Sequence, residues 1–122
     1  MKEYFFDTYA IIELIKGNPK YEFVKDFTII TGVMNLAEVY YALLLENKKE
    51  KVDSFITNLN LQLLNILSDT AIKGALFRYQ HKKANFSYID SVGYILALDN
   101  NFIFLTGDKE FEDLENVEFV KK

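Results

Sequence analysis

The stretch Ser87–Asp108, SYIDSVGYILALDNNFIFLTGD, decides the fold. From Ser87 to Leu98 it is apolar nearly all round, and Asp90 is its only charge. A helix of that composition belongs in an interior. Ser87 is a capping residue, so the helix is predicted over Tyr88–Asp99. Gly93, Tyr94 and Ala97 share the face of Asp90, and two small residues there imply close packing against another element. Phe102–Leu105 (FIFL) then reads as a buried strand, which Gly107 breaks before Asp108.

Working outward, the same alternation recurs. Glu3–Phe6 (EYFF) reads as a strand, followed by a helix over Thr8–Lys16 that Gly17-Asn18-Pro19 ends. A short helix covers Lys20–Lys25, and the β-branched run Phe27–Thr31 gives a second strand. Helical spacing of Leu36, Val39, Tyr40 and Leu43 predicts a helix over Leu36–Glu46. Lys48–Lys51 reads as a polar turn. A helix over Val52–Asn58, a strand over Leu61–Ile66, and a helix over Asp69–Lys83 capped by Ser68 follow. Lys109–Leu114 is a short helix and Val117–Val120 an edge strand. Strands separated by helices imply right-handed βαβ units. The expected fold is α/β: a three-layer sandwich around a mostly parallel sheet of about five strands.

The 122 residues suit one domain, 1–122, and half are apolar. MKEYFFDTYA has no secretory leader character, and no apolar run approaches a membrane span. Cysteine is absent, which fits a cytoplasmic setting and excludes thiolate chemistry. The single histidine, His81, lies in a polar stretch, so Ser-His-Asp catalysis and multi-histidine metal sites are disfavoured. A net charge of −4 is unusual for a nucleic-acid binder, but net charge hides distribution.

In parallel sheets, ligands bind outside the carboxyl ends of the strands. Asp7 directly follows the first strand. Glu38 lies in the first turn of the helix after the second, Asp90 in the first turn of its helix, and Asp108 just past FIFL. Each has a plainer reading as a helix cap, and both Asn35–Glu38 and Ser87–Asp90 have capping-box spacing. Yet Asp90 and Glu38 sit in apolar surroundings, where an uncompensated carboxylate is costly. Several like charges at one sheet edge raise one another's pKa. A divalent cation is the simple compensation, and hard oxygen ligands without His or Cys select Mg²⁺ or Mn²⁺.

These segments resemble the motifs of PIN domains: FFDTYAIIELIKGN, MNLAEVYYALL, FSYIDSVGYILAL and FIFLTGDKEFEDL, in the family's order from residue 5 to residue 114. The length is similar to the toxin subunits of VapBC-type toxin–antitoxin pairs. The resemblance implies a Mg²⁺- or Mn²⁺-dependent endoribonuclease, often a homodimer, held inactive by a small antitoxin protein. Carried over by motif, the catalytic acids are Asp7, Glu38, Asp90 and Asp108. Asp7, Asp90 and Asp108 would ligate metal, and Glu38 would ligate a second ion or position the attacking water. Thr106 would orient a carboxylate or water. Asp113 reads as a surface residue.

Arg78, the sole arginine, lies near Lys82 and Lys83 on one predicted helix. These three are the preferred RNA phosphate contacts, with Lys48, Lys49, Lys51 and Lys109 as further candidates, although a solvated face is the plainer reading of each lysine. Rival classes fit less well. A phosphatase of the haloacid-dehalogenase type wants D-x-D, where this chain has Asp7-Thr8-Tyr9. A receiver domain wants a second acid beside Asp7. A PIN nuclease outside a toxin pair, or an inactive PIN-like binding module whose acids are only caps, stays as an alternative.

Overall fold

The computed structural model describes residues 2–121. Strands β1 (Tyr4–Phe6), β2 (Ile29–Gly32), β3 (Leu61–Leu64), β4 (Ile103–Thr106) and β5 (Val117–Phe119) form one sheet. Their order is β3-β2-β1-β4-β5, and every neighbouring pair is parallel. Phe5 stands opposite Ile30 on one side and Phe104 on the other, so the apolar EYFF and FIFL runs form the centre of the sheet.

Successive strand residues point to opposite faces, and each face has its own helices. Tyr4, Phe6 and Leu105 pack with α1 (Thr8–Ile15), α2 (Val33–Leu44) and α3 (Lys49–Thr57) through Ala10, Ile11, Val39, Leu43 and Val52. Phe5 and Phe104 pack with α4 (Ser68–Gln80) and α5 (Tyr88–Asp99) through Phe77, Tyr94, Leu96 and Ala97. The expected three-layer sandwich is therefore present. Rings dominate the second face: Phe104 lies 4.7 Å from Phe111, and Phe111 lies 4.4 Å from Phe86.

Two glycines set how closely these layers approach. A Cβ on Gly93 would stand 3.3 Å from the Phe5 ring, so α5 lies directly on β1. A Cβ on Gly74 would stand 2.6 Å from the Val92 side chain, so α4 and α5 touch nearly backbone to backbone. The buried face expected for α5 is present, with Ser91 and Gly93–Ala97 all buried.

Several boundaries differ from the sequence reading, each for a local reason. The second strand starts at Ile29 because the Phe27 N–H is engaged in a turn on the Val24 carbonyl. Helix α2 starts at Val33, three residues earlier than Leu36, so Glu38 lies in its second turn and Asn35 is no cap. Lys49–Lys51 is the first turn of α3 rather than a loop, aided by the Lys49–Asp53 ion pair at 2.6 Å. Leu67 occupies the N-cap position of α4, and Ser68 is already helical. That helix ends at Gln80, leaving Lys82 and Lys83 in the following turn. The final short helix is a 3-10 turn over Lys109–Phe111. Among the described residues, no helix is long and apolar enough to cross a membrane.

Candidate active site

Because all five strands run parallel, their carboxyl ends share one edge. The chain departs from the central strands β1 and β4 in different directions there, which opens a crevice between them. Asp7 is the first residue past β1, and its N–H donates to the Leu105 carbonyl of β4 at 3.0 Å. Thr106 ends β4, and Asp108 is two residues beyond. The amino ends of α2 and α5 reach the same edge and bring Glu38 and Asp90. Asp7, Glu38, Asp90 and Asp108 line one open pocket of about 420 Å³, with Thr8, Tyr9, Ile12, Gly107 and Lys109.

Hydrogen bonds hold the carboxylates in place. Thr8 N–H donates to Asp7 Oδ1 at 2.9 Å, and the Thr106 hydroxyl donates to Asp7 Oδ2 at 2.7 Å. Thr106 Oγ1 in turn accepts from Asp108 N–H at 3.0 Å, so one buried hydroxyl ties two of the acids together. The Thr8 hydroxyl donates to Glu38 Oε1 at 2.7 Å and accepts from Asn35 Nδ2 at 3.1 Å.

The capping readings of Asp90 and Asp108 hold as well. Ser87 and Asp90 form a full capping box, with Ser87 N–H donating to Asp90 Oδ2 at 2.9 Å. Asp108 Oδ1 accepts from Glu110 N–H at 3.0 Å. Each cap uses a single oxygen. Among the described residues, Asp90 Oδ1, Asp108 Oδ2 and Glu38 Oε2 have no protein donor, and none of the four acids has an ion-pair partner.

Burial sets the electrostatics of the site, with no ion-pair partner among the described residues to offset it. Burial, more than repulsion, pushes the Asp7 carboxyl up to about 7, and Asp90 and Asp108 push it further, against the opposing bonds from Thr106 and Thr8. Burial also raises Asp90, against the opposing hydrogen bonds from Ser87, and Asp108 adds to the rise. It raises the half-buried Glu38, where Asp90 adds and the Thr8 hydrogen bond opposes. The donor set is therefore all hard oxygen, partly unsatisfied and destabilised as anions, which fits a divalent cation. Among the described residues, however, no three His, Cys, Asp or Glu side chains stand close enough together to hold an ion as placed.

Thr8 and Asn35 escaped the sequence reading. By sequence Thr8 only starts a helix and Asn35 only offers a cap, yet Asn35 is 2 % exposed. A buried Asn three residues before an acid in the apolar run MNLAEVYYALL was the available signal, since a buried amide must be bonded. Asp113 is exposed and does not line the pocket.

The expected basic residues form a separate cleft. Arg78, Tyr79, Lys82 and Tyr88 line a space of about 380 Å³, with Ala75, Ala84, Asn85 and Phe86. Lys83 is exposed but is not among its lining residues, and Lys49 is engaged with Asp53. Lys109 borders the acidic pocket instead.

Comparison with solved structures gives the same architecture. A toxin–antitoxin complex from Klebsiella pneumoniae matches with a TM-score of 0.79 at 16% identity, over 98% of this chain and 99% of that one. The Mycobacterium tuberculosis sarcin-ricin-loop-cleaving toxin VapC20 matches with a TM-score of 0.77 at 10% identity, over 93% and 95% of the two chains. DNA-bound VapBC from Salmonella typhimurium matches with a TM-score of 0.77 at 20% identity, over 98% and 97%. Identities this low speak for the fold alone. No curated protein matches the sequence. The PIN domain family model, in contrast, matches residues 4–117, which takes in all four acids and nearly the whole sheet. The chain belongs to the PIN domain family.

Proposed function

We propose that this protein is a metal-dependent endoribonuclease that hydrolyses RNA phosphodiester bonds and serves as the toxin of a toxin–antitoxin pair. One observation carries the reading: four carboxylates with no ion-pair partner among the described residues line a single pocket at the carboxyl edge of a parallel sheet, in a chain of the PIN family. Asp7, Asp90 and Asp108 would hold Mg²⁺ or Mn²⁺, and Glu38 would ligate a second ion or position the attacking water. A bound divalent cation supplies a lowered water pKa and neutralises charge developing on the phosphate.

The remaining work falls to the chain. Thr106 fixes the Asp7 carboxylate and the turn carrying Asp108 through one hydroxyl. Thr8, itself held by Asn35, fixes Glu38. These bonds preorganise the acids, and preorganisation of this kind supplies much of an enzyme's rate.

The toxin assignment draws support from solved structures whose whole length this chain matches and which are toxin–antitoxin complexes. A small antitoxin protein is the partner this implies. Exposed apolar residues along α2 and α4, Met34, Tyr41, Leu44, Ile72 and Leu76 among them, favour surfaces covered by that partner and by a second copy in a homodimer. The working compartment is the cytoplasm, and the chain acts as one nuclease domain.

The decisive experiment incubates purified protein with total cellular RNA. Cleavage should need Mg²⁺ or Mn²⁺, stop with EDTA, and fall by orders of magnitude in Asp7→Ala or Asp90→Ala. The double variant should lose little more than either single one, because the acids act as a unit. Cleavage that persists in EDTA or in both variants overturns the metal mechanism. An inactive binding module would leave all RNA intact under every condition.

A further inference from the structure

The acidic pocket has a neighbour of opposite character. Tyr88 and Asp90 both lie in the first turn of α5, yet Tyr88 lines the cleft of Arg78 and Lys82 while Asp90 lines the acidic pocket. Among the described residues, no carboxylate lines that cleft. We propose that it is a subsite for one nucleotide of a single-stranded RNA. The phosphate would be held by the Arg78 guanidinium and the Lys82 ammonium, and the base laid against an exposed tyrosine ring. The choice of RNA as the ligand rests on the nuclease reading above.

Arg78 is built in rather than loosely solvated. Its Nε–H donates to the Phe86 carbonyl at 2.9 Å, and its guanidinium stacks 4.4 Å from the centre of the Tyr88 ring. Those two contacts fix the plane of the fork. Among the described residues, Arg78 has no carboxylate partner, so its two terminal amino groups stay available. A fixed, unpaired guanidinium suits bidentate capture of a phosphate. The Lys82 ammonium lies 4.9 Å from the centre of the Tyr79 ring.

The aromatic half of the site is equally specific. Tyr79 is 67 % exposed and Tyr88 62 %, in a chain whose other rings mostly pack inside. Exposed rings beside fixed cations form the stacking-plus-charge combination that single-stranded nucleic acids use. A duplex keeps its base faces stacked and hidden, so the cleft selects unpaired RNA. The volume, about 380 Å³, lies within the range of small-ligand pockets. A strand crossing the amino end of α5 would then set one nucleotide in the basic cleft and present a neighbouring phosphate to the acids.

The test uses the intact protein, labelled with ¹⁵N, in EDTA so that no strand is cut. Arg78 is the only arginine, so its Nε–H resonance is unique in the spectrum. Titration with a mixed-sequence single-stranded pentaribonucleotide should move that resonance saturably. Tyr79→Leu and Lys82→Ala, both at exposed positions, should each weaken binding about tenfold. Lys82→Ala should also flatten the plot of log affinity against log salt by about 0.7. An Arg78 resonance that stays still while the amides of Asp90 and Asp108 shift would overturn the subsite and leave the nuclease reading intact. Movement of Arg78 by RNA, in a protein that cuts nothing with Mn²⁺, would support the subsite while the catalytic reading fails. If an acetylated acidic pentapeptide moves the resonance at lower concentration than RNA does, the cleft is a peptide site and the proposal fails.

Discussion

Asp7 carries more of the site's electrostatic tension than any other residue. It is 3 % exposed, it accepts two hydrogen bonds, and its carboxyl is still pushed up to about 7. The folded protein therefore binds a proton at Asp7 more tightly than the unfolded chain, whose value is near 3.8. A raised folded-state value stabilises fully below the unfolded pKa and loses that contribution as pH rises through the folded one. Metal-free protein should lose stability at this position between about pH 4 and pH 8, by at most roughly 4 kcal/mol at about 1.4 kcal/mol per pKa unit. The measurement is urea unfolding in EDTA across that range, comparing the parent with Asp7→Asn, which cannot titrate. The gap between the two should shift in favour of the variant as pH rises. Parallel curves would mean that Asp7 ionises in the folded state much as in a free peptide.

Among the elements, the α4–α5 seam is the tightest joint. A Cβ on Gly74 would meet the Val92 side chain at 2.6 Å and the Val92 backbone at 3.1 and 3.2 Å. Gly74→Ala would gain up to about 1 kcal/mol of helix propensity in an open helix. Here the backbone must shift, and overpacking of this kind costs about 1–3 kcal/mol, so the variant should melt lower, by several degrees. An equal or higher melting temperature would show that the seam gives way easily. Legibility varied by element for related reasons. The βα alternation was legible because FIFL, EYFF and SYIDSVGYILAL are apolar in the manner of buried elements. All four acids were legible because each lies just past a strand or near the start of a helix. Element starts were less so. Gly32 begins α2 without a side-chain cap, so Asn35 took the cap's place in the sequence reading. The Thr8 and Asn35 side chains meet each other and Glu38 through bonds between residues 27 and 30 apart in sequence, which no local pattern encodes. Tyr88 opens a helix that is apolar nearly all round, yet it is 62 % exposed, because its contact is with Arg78 across a turn.

At the scale of the whole molecule, the acids destabilise the fold they occupy, and the proposed function has a divalent cation offset that cost. Mn²⁺ at a hundredfold excess over its dissociation constant should contribute about 2.7 kcal/mol by mass action and raise the melting temperature by several degrees. Asp90→Asn should lose most of that gain, and in EDTA it should melt higher than the parent, since a neutral amide relieves both the burial and the repulsion that raise Asp90. Equal metal-induced shifts in the two proteins would remove Asp90 from the ligand set. The site is also assembled from distant parts of the chain. Asp7 and Thr106 are 99 residues apart, and the Tyr4–Glu118 bond spans 114. β1 sits at the centre of the sheet with β4 as one neighbour, so the amino-terminal strand waits for the carboxyl-terminal one. On a translating ribosome, the growing polypeptide displays Asp7 early but has neither Thr106 to align it nor Asp108 to face it. The acidic pocket can be assembled only after those 99 residues have emerged, so whatever chemistry it carries is withheld from a shorter nascent chain.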